Sequence, residues 1–254
     1  MTLGIKSALT ALAVLAAAPA TAQMVFNNAS NGAACAPSCW TATFGTDGSG
    51  GYQAFDDFVL TSASAVRSVS WTGFYIDYIN TQNNPVAPPT TSWQIAFYAN
   101  ASGEPGSQAY LTSLPAGDVH ADFLGDGSAF GSSVSFYQFT AVLPTAFDAS
   151  GGTTYWFSPE SVQPDFDPFF SWSASNASDP YGTWQVGLGG IGTGHLLSQS
   201  DDVARAFTLS DSVPEPASWA LTILGIGGVG GAVRISRRRT GLAIARVRSP
   251  GRGI

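Results

Sequence analysis

Lysine is nearly missing from this chain. Lys6 is the only one among 254 residues. Seven of the nine arginines lie from Arg234 onward, so residues 23–212 hold just Arg67 and Arg205 as cations. The same stretch holds sixteen of the seventeen acids, and two basic against sixteen acidic residues leave it at −14, where the whole chain is −7. A surface so acidic repels a phosphate backbone and anionic headgroups, which excludes nucleic-acid binding. Two readings of the charge remain: plain solubility outside the cell, or attraction for divalent cations.

Histidine and cysteine are equally scarce. His120 and His195 are the only imidazoles, and Cys35 and Cys39 the only thiols. Two cysteines in an exported chain predict a disulfide, and one closing so short a loop stiffens an N-terminal turn rather than holding the fold. Zinc would need both histidines as well. His120 lies among acids and His195 in a glycine-rich stretch, with no nucleophile-elbow sequence beside either, so a Ser/His/Asp site is not expected. Glu104 and Glu160 are the only glutamates of residues 23–212, and Glu104 sits in the turn Gly103-Glu104-Pro105-Gly106. They are a poor start for a glycosidase pair. The expectation is a protein that is not an enzyme.

What the chain does have begins at its ends. Residues 1–22 read as a secretory signal peptide: Lys6, then an apolar run from Ala8 to Ala18, then Ala20-Thr21-Ala22 before Gln23. Residues 23–212 form one domain in length, with no internal linker or repeat. Helix signals are missing there, while β-branched and aromatic residues alternate in short runs between Gly, Ser, Asn and Pro. Runs at 55–60, 69–76, 93–98, 134–142, 153–158, 169–173, 183–188 and 203–209 predict an all-β domain, a single antiparallel β-sandwich of jelly-roll-like form. Segments 80–91 and 100–108 read as polar loops.

Carboxylates supply the candidate metal ligands. Asp56-Asp57 and Asp201-Asp202 each open a strand, and four hard oxygen donors brought together suit Ca²⁺ as a structural ion. The competing reading is charge placed on strand edges against aggregation. Asp118, Asp122 and Asp126 fall in a segment, Gly117 to Ser128, that reads as a solvated loop and does not fit an EF-hand. Asp165 and Asp167 read as outward acids of a turn. Among the aromatics, Trp71, Trp93 and Trp156 alternate as core residues do. Trp172, Tyr181 and Trp184 flank the turn at 175–180 and are the candidates for an exposed platform stacking on sugar faces. Three Asn-Ala-Ser sequons, at Asn28, Asn100 and Asn176, fit chance in so Asn-, Ala- and Ser-rich a composition.

The C-terminal region is the most specific. Val213-Pro214-Glu215-Pro216 precedes an uncharged run from Ala217 to Val233, and Arg234, Arg237, Arg238 and Arg239 follow. Seventeen residues are near the lower limit for spanning a bilayer, and the arginines stay cytoplasmic by the positive-inside rule. Five glycines between Gly225 and Gly231 weaken the helix. That order, Pro-Glu-Pro motif, span and basic cluster, resembles a PEP-CTERM sorting signal over residues 213–239. The resemblance implies recognition by an exosortase, a membrane-embedded transpeptidase-like enzyme of Gram-negative bacteria. It implies cleavage near Pro214-Glu215-Pro216, a precursor transiently in the inner membrane, and release to the cell surface or an exopolysaccharide-rich biofilm matrix. A plain single-span anchor is the physical alternative. Residues 240–254, with Arg246, Arg248 and Arg252, continue as a basic tail past the point where such signals usually stop.

Overall fold

The structure is a computed structural model that describes residues 23–30, 40–44, 50–165, 167–178, 183–188, 196–199 and 203–212. Cys35, Cys39, Tyr181, His195, Asp201 and Asp202, the signal segment and the whole sorting segment lie outside these residues. The chain divides into two units, Met1–Val213 and Pro214–Ile254, and only the first contains described residues.

Among the described residues that unit is all-β, with fifteen strands. They are β1 (Met24–Asn28), β2 (Ala42–Phe44), β3 (Gly50–Val59), β4 (Ser64–Ile76), β5 (Ser92–Asn100), β6 (Pro105–Pro115), β7 (Val119–Ala129) and β8 (Ser132–Ala149). Then follow β9 (Thr154–Gln163), β10 (Phe169–Trp172), β11 (Ala174–Ser178), β12 (Thr183–Leu188), β13 (Leu196–Gln199), β14 (Val203–Arg205) and β15 (Phe207–Ser210). One sheet has six strands in the order β1-β15-β4-β8-β7, with β10 also on β4; a second has seven, β13-β12-β3-β2-β9-β5-β6; β11 and β14 form a small third pair. One pairing departs from the antiparallel expectation: β2 runs parallel to β9. Among the described residues no helix is long and apolar enough to cross a membrane, and residues 217–233 are not among them.

The two large sheets meet through aromatic rings. Trp71 of β4 packs edge-on against Trp93 of β5 at 4.8 Å, Phe147 of β8 stacks on Phe97 of β5 at 4.3 Å, and Phe207 of β15 meets Phe58 of β3 at 6.2 Å. Successive strand residues point to opposite faces, so each of these rings is followed by an outward residue. The alternation seen in the sequence is this layer. Trp71, Trp93 and Trp156 are at most 2% exposed, as expected.

β6 begins at Pro105, inside the segment 100–108 read as a polar loop, and two further elements differ from expectation. Residues 119–129 are a strand, not a loop. β7 lies at the edge of the six-stranded sheet, with a bulge between Phe123 and Gly125. An edge strand carries charge because charge blocks pairing with another chain, and its acids made it look like a loop. The strand predicted to stop at Ser158 instead runs to Gln163, through Pro159. Proline is tolerated because β3 pairing ends at Asp56–Phe157 and β2 pairing begins at Ala42–Ser161. Pro159 falls in the gap between them, where no ladder bond needs its missing N–H.

The two ends of the described unit meet. The Gln23 amide donates to Ser212 Oγ at 3.2 Å, the Asp211 N–H donates to the Gln23 carbonyl at 3.2 Å, and β1 pairs with β15. Ser212 therefore lies beside the start of β1.

Candidate functional site

The outward face of the seven-stranded sheet carries a polar and aromatic cluster. On β9, Tyr155 and Phe157 face the core, so Trp156, Ser158 and Glu160 face out. Tyr98 of β5 lies opposite Trp156, and Gln94 opposite Glu160. Phe55 of β3 lies opposite Trp184 of β12. Gln53 Nε2 donates to Tyr98 Oη at 3.0 Å, and Phe55 meets the Tyr98 ring edge-on at 5.2 Å. The turn after β5 caps this face. Trp156 Nε1 donates to Asn100 Oδ1 at 3.1 Å, and Trp184 Nε1 to the Gly103 carbonyl at 3.2 Å. Asn100 Oδ1 also accepts the Gly103 N–H, so the Asn100 sequon side chain is held within the fold.

Glu160 is the unexpected member. It is 4% exposed, and burial pushes its carboxyl from 4.5 up to about 7, with the Thr43 hydroxyl pulling back. Burial also raises the Tyr98 phenol, the Gln53 hydrogen bond opposes the rise, and the charge of Glu160 adds to it. The hydroxyl of Ser158, wholly buried on the same face, has no hydrogen-bond partner. Extending the outward set Trp156, Ser158 by two residues reaches Glu160; the signal was hidden only by Pro159.

The sugar platform read from sequence is not assembled as expected. Trp172 is 0% exposed, packs against Phe157 at 5.5 Å and Phe207 at 5.7 Å, and donates Nε1–H to the Ala206 carbonyl at 2.9 Å. It is a core residue, because β10 pairs with β4 and sets Trp172, opposite Gly73, on the inner face of that sheet rather than at a turn. Trp184 remains partly exposed on the outward face, and Tyr181 lies outside the described residues.

The candidate calcium site is likewise divided. Asp56 and Asp57 are neighbours on β3 and point to opposite faces. Asp56 turns inward, where its Oδ2 accepts the Arg205 backbone N–H at 2.6 Å; Asp57 is opposite Trp156 on the outward face. The two carboxylates do not serve one ion. Asp201 and Asp202 lie outside the described residues. Asp126 accepts from Ser135 Oγ at 2.7 Å, and Asp122 pairs with His120 Nε2 at 3.0 Å on the open surface. Among the described residues no three His, Cys, Asp or Glu side chains are grouped as a metal would need.

Asp167 does more than the turn reading foresaw. Its two carboxylate oxygens accept the N–H groups of Tyr78 and Ile79 at 3.0 and 2.9 Å, and the Asp77 carboxyl pushes its titration upward. Asp165 stays outside this arrangement, as a turn acid.

Glu104 and Glu160 are not two sides of one cleft. Glu160 is level with Gln94, while Glu104 adjoins the Asn100–Pro105 pair six residues further along β5. At the rise of a strand that is roughly 20 Å, well beyond the spacing of glycosidase carboxyls.

Comparison with known proteins bears on the other end of the chain. Residues 212–239 match the PEP-CTERM protein-sorting motif. Val213-Pro214-Glu215-Pro216, the apolar run and Arg234 to Arg239 are therefore a sorting signal of the kind an exosortase recognises, and this chain is an exosortase-sorted, exported protein whose precursor is anchored in a membrane. The match covers that segment and not the β-domain. No curated protein and no solved structure matches the chain.

Proposed function

We propose that this protein is a non-enzymatic structural component of the cell surface or of an exopolysaccharide-rich biofilm matrix, in a Gram-negative bacterium. The observation that carries the reading is order along the chain: a β-rich domain whose last described strand ends at Ser210, followed at once by the sorting motif at 212–239. Cleavage near Pro214-Glu215-Pro216 removes the apolar run and seven arginines. What reaches the surface is then the −14 domain, without the membrane handle. Processing tests this. In cells lacking a working exosortase, the protein should stay in the inner membrane at precursor mass, and identical processing in their presence and absence overturns the reading.

A second reading is carbohydrate recognition. Trp184, Tyr98 and Gln53 share one outward face, and an indole beside hydrogen-bonding side chains suits the apolar and polar sides of a sugar ring. Polysaccharide affinity gels with the exported protein test it, with and without Ca²⁺. We take the fold to need no cofactor; a bound calcium ion would be structural.

A further inference from the structure

The outward face of the other sheet has a different character. Asn27 of β1, Thr208 of β15, Ser70 of β4, Thr140 of β8 and His120 of β7 lie each directly opposite the next. On strands about 4.8 Å apart they form one straight row across five strands. Thr72, Gln138 and Asp122 make a second row beside it. Two adjoining cavities of ≈ 290 and ≈ 220 Å³ lie over these rows and share Ser30, Thr72 and Leu124. Leu124 is the extra residue of the β7 bulge and is 54% exposed; Met24, 55% exposed, lines the larger cavity. A bulge re-aims the side chain it frees, and here that side chain becomes an apolar wall over a polar floor.

We propose that this groove binds a neutral polysaccharide chain, seated on Asn27, Thr208, Ser70, Thr72 and Gln138. The proposal rests on the carbohydrate reading above but moves the polymer to the opposite sheet from Trp184. Three features select the ligand. Each floor side chain is an amide or hydroxyl that both donates and accepts, as sugar hydroxyls do. Ser70 and Thr140 already share one such bond at 2.9 Å, which holds their oxygens in place. The row is evenly spaced, and a sugar ring is about as long as the gap between neighbouring strands, so a repeating chain can meet the floor in register. None of these five side chains bears a charge. The charged groups stand along β7, as Asp122 with His120 and as Asp126, in a domain that is −14. Uronate or phosphate polymers are therefore repelled, while Leu124 and Met24 offer apolar surface to sugar C–H faces.

The test uses the exported protein in affinity electrophoresis through gels of neutral β-glucan, mannan or galactan, with polygalacturonate as the anionic comparison. Gln138→Ala combined with Thr208→Ala removes two floor hydrogen-bonding groups, and retention by a neutral polymer should weaken about tenfold. Leu111→Ala, at an exposed position of β6 in the other sheet, should leave it unchanged. An unaltered melting temperature for the double variant keeps the loss from being one of folding; Leu124→Asp, at an exposed site, supplies a second block. Retention unaffected by the groove variants but lost in Trp184→Ala overturns this site and leaves carbohydrate recognition standing. No retention on any neutral polymer overturns both, and tighter binding to polygalacturonate overturns the neutral ligand.

Discussion

The carboxyl groups of Asp77 and Asp167 interact, linking the turn after β4 to the turn before β10. Each also holds backbone. Asp167 takes the Tyr78 and Ile79 N–H groups, and Asp77 takes the Asn80 N–H and Asn83 Nδ2. Asp77 is shifted down, mainly by the Asn80 N–H; Asp167 is shifted up, mainly by burial.

The pair makes the fold sensitive to pH from both sides. The raised Asp167 contributes stability that is lost as pH rises through its folded value, and the lowered Asp77 contributes stability that is lost as pH falls through its own. Asp167→Asn should therefore remove the alkaline-side decline in melting temperature, and Asp77→Asn the acid-side decline. Melting curves across pH in a Glu160→Gln background would show it. Unchanged slopes in both variants would mean the contact carries no proton linkage.

Glu160 gives a larger effect with one sign. Its carboxyl is raised from 4.5 to about 7, so the folded state keeps a proton that the unfolded chain releases between those values. Stability is fully present below about 4.5 and falls as pH rises through about 7, by on the order of 3 kcal/mol. Glu160→Gln should flatten that fall and make the protein more stable than wild type at pH 8, measured by urea denaturation. The same variant speaks to chemistry. Were Glu160 a catalytic acid, any glycan turnover by the wild type would vanish with it; we expect no turnover in either.

Much of this was legible in the sequence, but only where the signal is local. Period-2 alternation identified the β class and placed Trp71 and Trp93 inside, because one buried face per strand writes itself into neighbouring residues; Trp156 is buried instead on the outward face of β9, under the turn after β5. Trp172 was misplaced because its strand is four residues long and flanked by turn formers; what buries it is contact with Phe157 and Phe207, which are remote in sequence. β7 was misread because an exposed edge strand has no buried face to alternate. The Asp77–Asp167 contact joins residues ninety positions apart, and no spacing rule anticipates it. The sorting signal was the reverse case, since motif, span and charge are all linear features.

Gly73 shows a packing constraint that has nothing to do with backbone freedom. A Cβ there would stand 2.3 Å from the Phe170 ring and 2.5 Å from the Ser171 carbonyl oxygen, where β10 lies against β4. The ring is itself wedged against Trp93 at 4.9 Å and Tyr75 at 5.4 Å, so it has little room to yield. Gly73→Ala should cost about 3 kcal/mol or more by overpacking. Gly117→Ala, with nothing within 4 Å of the added carbon, is the control and should cost under about 0.5 kcal/mol. Equal midpoints for the two in urea would refute the constraint.

Asp56 tests the metal question and the fold together. Its carboxylate accepts the Arg205 backbone N–H in the interior, and Arg205 is wholly buried, with Nη2 donating to Thr183 Oγ1 at 3.0 Å. Asp56→Ala strips an acceptor from a buried N–H and a negative charge from an interior that holds a guanidinium, which should cost about 3 kcal/mol. A calcium ligand would behave differently. Its loss would be mimicked by chelating the wild type, and the variant would become insensitive to added Ca²⁺. We expect chelation to leave the wild-type melting temperature unchanged and added Ca²⁺ to rescue nothing in Asp56→Ala. A drop on chelation equal to the cost of the substitution would instead make Asp56 part of a metal site and remove its structural role.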